Sequence, residues 1–396
     1  MLPTERTDSA RLPVADVGRG AAKATRGFFL LSGIGMSSWA PMVPFDKTRL
    51  ALDDAQLGML LLCMGLGSAG ATPLAGFLSH RYGHRNVMAI AALLVCAALP
   101  LLALAPSALA LGATLVGFGG SLGVLDVAMN AHAVDVEALH GRPMMSGFHG
   151  LFSVGGLAGS AGVTALLGAK VPLVACAVAV ALGLAFIVAT RWRLTLAPVA
   201  HVAAAARSPF ARPPAAALLL GLLCLIVFLT EGAMLDWSAV FLRSARHFDL
   251  ADAGLGYAAF SVAMATGRLL GDRITAALGP GRVVRLGSLA AAAGLTLATA
   301  LPWPATALAG FVLVGLGAAN IVPVLFSAAG RIAGAPPGVS IATVTSFGYA
   351  GMLAGPAAIG FAARATSLSL ALGAIAGLLL VVAVAAPVVP RVERLG

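Results

Sequence analysis

The chain has 396 residues, of which 60% are hydrophobic and only 10% are charged; its net charge is +10 and its mean hydropathy is +0.97. A soluble domain is about one-quarter charged, so this composition excludes a soluble enzyme, an extracellular module and a disordered chain. The basic excess does not indicate nucleic acid binding, because no soluble domain is visible that could carry a basic surface. We expect these residues to lie in loops and to contact anionic lipid headgroups.

Apolar runs that are long enough to cross a bilayer, which takes about 20 helical residues, occur twelve times. They cover residues 27–45, 56–79, 87–105, 108–134, 145–169, 171–190, 215–242, 253–271, 284–301, 305–330, 339–363 and 367–390. The long internal loop 191–214 contains four arginines and four prolines, which is typical of a linker. We therefore predict an all-α integral membrane protein with twelve transmembrane helices. Its predicted parts are a tail (1–26), a six-helix half (27–190), the linker, a second six-helix half (215–390) and a tail (391–396).

The distribution of lysine and arginine predicts which side of the membrane each loop faces. If the N-terminus is cytoplasmic, the tails and loops on that side hold 19 of the 25 basic residues, including the four in 268–285. Cytoplasmic loops carry such an excess, and a polar segment as long as 1–26 is not typical of a signal peptide. We expect a multi-pass protein of a bacterial inner membrane with both termini in the cytoplasm.

Short stretches of the two halves repeat at an offset of 198 residues. Leu115–Gly119 (LVGFG) matches Leu313–Gly317 (LVGLG), and Asp54–Gly58 (DAQLG) matches Asp252–Gly256 (DAGLG). Two parallel repeats of six helices are a transporter architecture. The repeats therefore favour a transporter over a channel or a receptor.

A motif rich in glycine and arginine follows span 2 and recurs after span 8. The first copy contains Gly76, His80, Arg81, Gly83 and Arg85, and the second contains Gly267, Arg268, Gly271, Asp272 and Arg273. Both resemble the Gly-x-x-x-Asp-Arg-x-Gly-Arg/Lys motif of the major facilitator superfamily. The resemblance implies a gating contact between the two halves at their cytoplasmic ends. His80 replaces the aspartate of the first copy and would weaken that contact, whereas Asp272 keeps it in the second.

Further stretches resemble the bacterial YbjJ-like permeases, which are related to the fucose-type sugar–proton symporters. These stretches are Leu125–Ala131, Phe148–Gly156, Glu231–Ser238, Asn320–Pro323 and Gly348–Pro356. The resemblance implies an acidic proton site on span 4. The carboxylate that those symporters carry deep in span 1 has no counterpart in this sequence.

Ionisable residues near the bilayer centre cost roughly 2.5–3.5 kcal/mol each on insertion scales, and they are candidates for function by default. Glu231 lies near the middle of span 7, and Asp126 shares one face of span 4 with Asn130. His149 lies in span 5 and titrates in a useful range. We interpret Glu231, Asp126 and His149 as candidate proton-coupling residues. The alternative for each is a structural role in pairing or packing between helices.

Amide, hydroxyl and aromatic side chains in the spans suit a sugar-like solute, although each would equally suit helix packing. The candidate substrate-binding residues are Asn130, Asn320, Trp39, Tyr349, Thr345 and Trp237. Pro323 lacks an N–H group, so it is expected to free a carbonyl and to kink span 10. Asp135 and Glu137 follow the end of span 4 and are expected to be solvated.

We predict a secondary transporter that moves a small polar organic solute, sugar-like or an organic acid, by proton-coupled alternating access. The alternative within transport is a proton-driven exporter of drugs or metabolites; a lipid flippase or scramblase and a membrane enzyme are alternatives from other classes. No P-loop occurs, and the tract His132–His140 lacks the spacing of a metal site. We predict no catalytic residue, no metal and no cofactor. The expected partners are the solute, protons and membrane lipids, without nucleic acid, and we expect a monomer.

Overall fold

The structure, a computed structural model, describes residues 14–52, 54–197, 212–248 and 255–392. The described residues form helices joined by short connections, and they contain no β-strand. Five predicted features lie wholly or partly outside the described residues: the N-terminal tail at 1–13, the linker at 198–211, the repeat at 252–254, the start of span 8 at 253–254, and the C-terminal tail at 393–396.

Each predicted span corresponds to a long helix, six in each half, except that span 10 is divided into two parts and the end of span 1 lies in the short helix Val43–Arg49. The N-terminal half consists of α1 (Val14–Ser38), α2 (Asp54–Tyr82), α3 (His84–Leu104), α4 (Ala108–His140), α5 (Met145–Gly168) and α6 (Leu173–Arg191). The C-terminal half consists of α7 (Ala215–Arg246), α8 (Leu255–Leu278), α9 (Pro280–Ala300), α10 in two parts (Pro304–Ala318 and Ile321–Gly330), α11 (Pro337–Ala365) and α12 (Leu368–Ala385).

Within the described residues, ten helical segments are both long and apolar enough to cross a membrane. The other two predicted spans, α8 and α11, are 24 and 29 residues long. At a rise of about 1.5 Å per residue these helices also reach across a hydrocarbon core of about 30 Å. The helices therefore agree with the predicted twelve-span architecture.

Local sequence explains several helix boundaries. Ser107 and Ser367 begin α4 and α12 by accepting a backbone N–H in the first turn, which is a common N-cap arrangement. Gly83 between α2 and α3, and Gly279 between α8 and α9, both have φ of +80°. Glycine adopts this conformation without steric cost, so the tight turn explains the glycine in the first motif copy.

The two halves repeat the same packing contacts, but at an offset of 196 residues. Gly119 in α4 packs directly on the backbone carbonyl of Met64 in α2, and Gly315 in α10 packs on that of Phe260 in α8. The turn glycines between α2 and α3 and between α8 and α9 are separated by the same offset. The LVGFG and LVGLG segments, matched at 198, therefore do not occupy equivalent packing positions.

One end of the bundle contains the connection between α6 and α7, and we call it the linker end. Because successive helices run in opposite directions, the turns α2–α3, α4–α5, α8–α9 and α10–α11 lie at this end as well. The two halves contact each other mainly through α2 with α11 and through α5 with α8. These two helix pairs frame the space in which the buried charged residues lie.

Candidate functional site

Charged and polar side chains from both halves meet near the middle of α4, α7 and α8 and in the first part of α5. Glu231 and Arg268 come from α7 and α8 of the C-terminal half, and Asp126 and His149 come from α4 and α5 of the N-terminal half. We define the central polar site as Asp126, Asn130, His149, Ser153, Glu231 and Arg268.

Arg268 connects the two halves at this site. Its Nη2 donates to both carboxylate oxygens of Glu231, at 3.1 and 3.3 Å, and its Nη1 donates to Oγ of Ser153 in α5 at 3.1 Å. The Arg268 side chain is only 9% exposed and that of Glu231 is 15% exposed. A buried charge persists when a counter-charge and further hydrogen bonds compensate its lost hydration. Arg268 has both.

The third contact of Arg268 depends on a break in α10. Pro323 has no N–H group with which to bond the carbonyl of Ala319, four residues earlier, and α10 is interrupted between Ala318 and Ile321. The Nε of Arg268 donates to this carbonyl of Ala319 at 3.3 Å. The kink predicted from Pro323 is confirmed, and the freed carbonyl helps to hold the guanidinium group.

Asp126, Asn130 and His149 form a hydrogen-bonded chain in the N-terminal half. Asn130 Nδ2 donates to Oδ1 of Asp126 at 3.1 Å and to the Asp126 carbonyl at 2.9 Å. The Oδ1 of Asn130 then faces Nε2 of His149 at 3.1 Å. Since an amide oxygen only accepts, His149 donates from Nε2. The face that the sequence predicted for Asp126 and Asn130 is thus used, and it extends to α5.

Aromatic rings enclose His149 on two sides. The ring of Phe29 in α1 lies edge-on to His149 at 5.1 Å between centroids, and that of Phe326 in α10 lies at 5.7 Å. These rings belong to opposite halves, so His149 lies at a junction between the halves.

Asn320, Thr345 and Tyr349 lie on the C-terminal side of the same region. Asn320 Nδ2 donates to the carbonyl of Gly267 at 3.0 Å. The Oδ1 of Asn320 and the hydroxyl of Thr345 are buried and have no hydrogen-bond partner among the described residues. Tyr349 lies beside Ser68 of α2 and within electrostatic range of Asp126. Asn320 and Tyr349 therefore offer polar atoms next to the central polar site.

The two predicted tryptophans lie outside the central polar site. Trp39 is 3% exposed and packs in the core just after the end of α1. Trp237 is half-buried on α7 and its ring packs against Gly360 of α11. The structure therefore does not bring Trp39 or Trp237 to the charged groups.

The sequence analysis missed the pairing of Arg268 with Glu231 because it counted Arg268 as a loop residue of the second motif copy. Arg268 lies eleven residues before the turn glycine Gly279, which is about three helical turns inside α8. Asp272 lies seven residues before Gly279, whereas His80 lies three before Gly83. The second motif copy is thus displaced by about one turn into the bundle, and this spacing was the signal that could have placed Arg268.

Asp272 joins the halves at the linker end. Both of its carboxylate oxygens accept the backbone N–H of Gly147, in the first turn of α5, at 3.1 Å. A carboxylate at a helix N-terminus is stabilised by the free N–H groups and the helix dipole there. Asp272 from α8 therefore caps a helix of the opposite half.

A second charged contact at the linker end was not expected from the sequence. Glu137 accepts backbone N–H groups of Met144 and Met145 at 2.8 and 3.3 Å and pairs with Arg331 of the α10–α11 connection at 2.5 Å. The predicted solvation of Glu137 is wrong. The helix α4 continues to His140, and the Glu137 side chain is 2% exposed because its carboxylate caps α5.

The first motif copy contacts the opposite half through the glycine backbone and without a charged side chain. A Cβ atom at Gly76 would lie 2.7 Å from the carbonyl oxygen of Gly338 in α11. His80 and Arg81 are exposed, as is Arg273 of the second copy. Arg85 donates to Thr195 Oγ1 at 3.1 Å and thereby binds the chain that follows α6 within its own half.

Three contacts therefore join the two halves at the linker end. We call the contacts Asp272–Gly147, Glu137–Arg331 and Gly76–Gly338 the linker-end interface.

Within the described residues, no group of three or more His, Cys, Asp or Glu side chains could hold a metal ion. The buried carboxyls of the central polar site are instead compensated by an arginine and an amide. The arrangement is therefore suited to proton exchange and to hydrogen bonding with a polar solute.

The chain is similar to known proteins both in sequence and in fold. The sequence pattern of the Major Facilitator Superfamily matches residues 27–356. An uncharacterised transporter of this type from Yersinia pestis is 47% identical over 374 residues, covering 93% of this chain and 95% of the relative. Among solved structures, FucP in its outward conformation has a TM-score of 0.76 at 15% identity, covering 93% of this chain and 98% of FucP. The human organic anion transporter MFSD10 has a TM-score of 0.71 at 19% identity, covering 93% and 99%. The predicted twelve-helix fold is confirmed.

Proposed function

Because the chain belongs to the major facilitator superfamily, we propose that it is a proton-coupled transporter of a small polar organic solute, sugar-like or an organic acid. Membership of this family makes the chain a multi-pass membrane transporter with a small-molecule substrate, and not an enzyme. In such proteins two halves rock around a site near the bilayer midplane. The observation that carries the proposal is the buried ion pair of Glu231 and Arg268, bonded across to Ser153 of the other half.

Polar groups beside the central polar site support a position for the solute between the halves. The Oδ1 of Asn320 and the hydroxyl of Thr345 have no partner among the described residues. Tyr349 lies one turn from Thr345 on α11, and Asn130 lies on α4 of the opposite half. Hydroxyl-rich solutes need such convergent donors and acceptors in an otherwise apolar cavity. This supports a sugar or a hydroxylated acid as the solute.

Proton coupling is supported by two carboxyls, Glu231 and Asp126, at membrane depth. An ionised carboxyl that must pass through a dry state is costly, and protonation or pairing removes that cost. Similar folds occur in the fucose:proton symporter FucP of Escherichia coli and in the organic anion transporter MFSD10. Both kinds of solute are therefore represented among proteins of this shape.

We assign the linker end to the cytoplasm of a bacterial inner membrane, because the loops at this end carry most of the basic residues. The linker-end interface is formed in this structure, so the conformation corresponds to a carrier that is closed towards the cytoplasm.

Replacement of each proposed proton carrier tests the function. In proteoliposomes with an imposed pH gradient, Glu231→Gln and Asp126→Asn should lose accumulation of labelled D-glucuronate or L-fucose while retaining exchange of solute across the membrane. Each pH unit can drive about tenfold accumulation when one proton accompanies each solute molecule.

The matched control is Asp236→Asn, because Asp236 is an exposed residue on the same helix as Glu231. This variant should accumulate solute like the wild type. Normal accumulation by both Glu231→Gln and Asp126→Asn would show that protons are not carried by these residues.

A further inference from the structure

We propose that Arg268 binds the carboxylate of the transported solute and that protonation of Glu231 releases Arg268 for this role. The solute is then an organic monoanion, carried together with one proton. This inference rests on the proposed proton-coupled transport and specifies its substrate class.

The contacts of Arg268 divide into two that hold the guanidinium and one that can be exchanged. Nε is held by the carbonyl of Ala319 in α10 and Nη1 by the hydroxyl of Ser153 in α5, whereas Nη2 is directed at Glu231. A guanidinium matches a carboxylate in shape and in hydrogen-bond geometry. A solute carboxylate can therefore replace that of Glu231 while α5 and α10 keep Arg268 in position.

Charge balance makes this exchange an obligatory coupling step. In the empty carrier Arg268 is neutralised by ionised Glu231. In the loaded carrier Arg268 is neutralised by the solute anion, and Glu231 holds a proton taken from bulk water. Both forms are neutral at this pair. A carrier with the proton alone, or with the anion alone, would have an unbalanced buried charge during the movement of the halves, and that is costly.

Other titratable groups near the pair lie on α4, α5, α7 and α11, where Tyr349 is within electrostatic range of Asp126. His149 of α5 lies within electrostatic range of Arg268, and Cys224 of α7 lies within range of both Glu231 and Asp126 of α4. Asp126 already receives a hydrogen bond from Asn130. Glu231 is the carboxyl in direct contact with the arginine, so its protonation is the event that frees Nη2.

The surroundings also indicate what the rest of the anion contains. Asn320 follows Ala319, whose carbonyl holds Arg268; its Oδ1 packs against Gly271 of α8 and has no hydrogen-bond partner among the described residues. An unpaired buried oxygen favours a ligand that can donate a hydrogen bond. Hydroxylated monocarboxylates, such as aldonates and uronates, supply hydroxyl donors a few ångströms from a carboxylate.

Matched pairs of solutes test the assignment on the purified full-length protein. The probes are D-gluconate with D-glucitol and D-glucuronate with D-glucose, because the members of each pair differ at the carboxylate. Binding would be measured by thermal shift and by titration, from mildly acidic to mildly alkaline pH. We expect at least one acid to bind without its neutral partner, with a Kd that rises about tenfold per pH unit once Glu231 is ionised in the free protein.

Two variants separate the roles of the paired residues. Glu231→Gln should bind the acid with a Kd that no longer depends on pH, because Arg268 is permanently released. The double variant Arg268→Gln/Glu231→Gln keeps the site neutral, so it should fold even if Arg268→Gln alone does not. It should bind the acid about a hundredfold more weakly than Glu231→Gln. Arg273→Gln, an exposed position on the same helix, is the matched control and should bind like the wild type.

Three results would overturn the inference: equal binding of an acid and its neutral partner, full acid binding by the double variant, or no binding of any acid in the panel. Flux measurements in proteoliposomes distinguish this failure from failure of the proposed function. Proton-driven uptake of D-glucitol or D-glucose would leave proton-coupled transport standing and remove the anion. Acid binding that needs Arg268 but produces no proton-driven flux would leave the anion assignment standing and remove proton-coupled transport.

Discussion

Arg268 keeps a positive charge near the middle of α8, where a membrane protein can hold one only with compensation. Glu231 supplies the counter-charge, and Ser153 and the carbonyl of Ala319 accept the remaining hydrogen bonds. Removing one partner of a buried pair costs about 3–5 kcal/mol, whereas replacing both with apolar groups is close to neutral. The stability of the protein should therefore depend on the pair as a unit.

A double-mutant comparison tests this dependence. Arg268→Met should lower the melting temperature of the detergent-purified protein, because it leaves Glu231 buried without its counter-charge. Arg268→Met/Glu231→Leu should recover most of that loss, and Arg273→Met, at an exposed position, should have little effect. If Arg268→Met melts like the wild type, Glu231 does not depend on Arg268 for its stability in the bundle.

Sequence reasoning identified the individual polar residues better than it identified their partners. Asp126 and Asn130 could be assigned to one face because they lie four residues apart on a helix. The pairing of Glu231 with Arg268 joins two helices, and its geometry depends on how α7 and α8 pack. Glu137 was misjudged for a related reason, since its partner Arg331 is 194 residues away.

At the scale of single elements, α10 depends most clearly on one residue. Pro323 interrupts the hydrogen bonding of the helix, and the freed carbonyl of Ala319 is used by Arg268. The sequence predicted this kink because a proline always lacks its N–H group. It could not predict which side chain would use the carbonyl, since Arg268 lies on another helix.

Pro323→Ala should restore a backbone N–H that competes with Arg268 for the Ala319 carbonyl. We expect solute affinity and transport to fall, because the guanidinium loses one of the two contacts that fix its position; a hydrogen bond to a charged group contributes about 1.5–3 kcal/mol. The control is Pro100→Ala, inside α3 and away from the central polar site. Equal transport by Pro323→Ala and the wild type would show that the break is not needed.

For the whole molecule, the apolar runs, the linker composition and the internal repeats were sufficient to predict twelve spans in two halves. The contact between the halves was only partly predictable. The motif indicated Asp272, but the approach of Gly76 to Gly338 requires the packing of α2 against α11. The offset of 196 residues between equivalent contacts likewise appears only when the helices are packed.

Gly76→Ala should disfavour the conformation in which the linker-end interface is formed. Its Cβ would lie 2.7 Å from the backbone oxygen of Gly338, so the backbones of α2 and α11 must separate. A cysteine at Ser340, which is fully buried near this contact, should then react faster with a water-soluble thiol reagent. Gly70→Ala is the matched control, because no atom lies within 4 Å of its added Cβ. Unchanged labelling in Gly76→Ala would separate this contact from gating.

The central claim is that a proton moves with the solute through Glu231, and the most direct test is proton entry measured without an imposed gradient. Proteoliposomes would enclose a pH-sensitive dye and receive, from outside, the solute that gives the largest thermal shift. We predict internal acidification with the wild-type protein and none with Glu231→Gln, although the variant still exchanges solute. Solute entry without acidification in the wild type, or equal acidification in Glu231→Gln, would contradict the account.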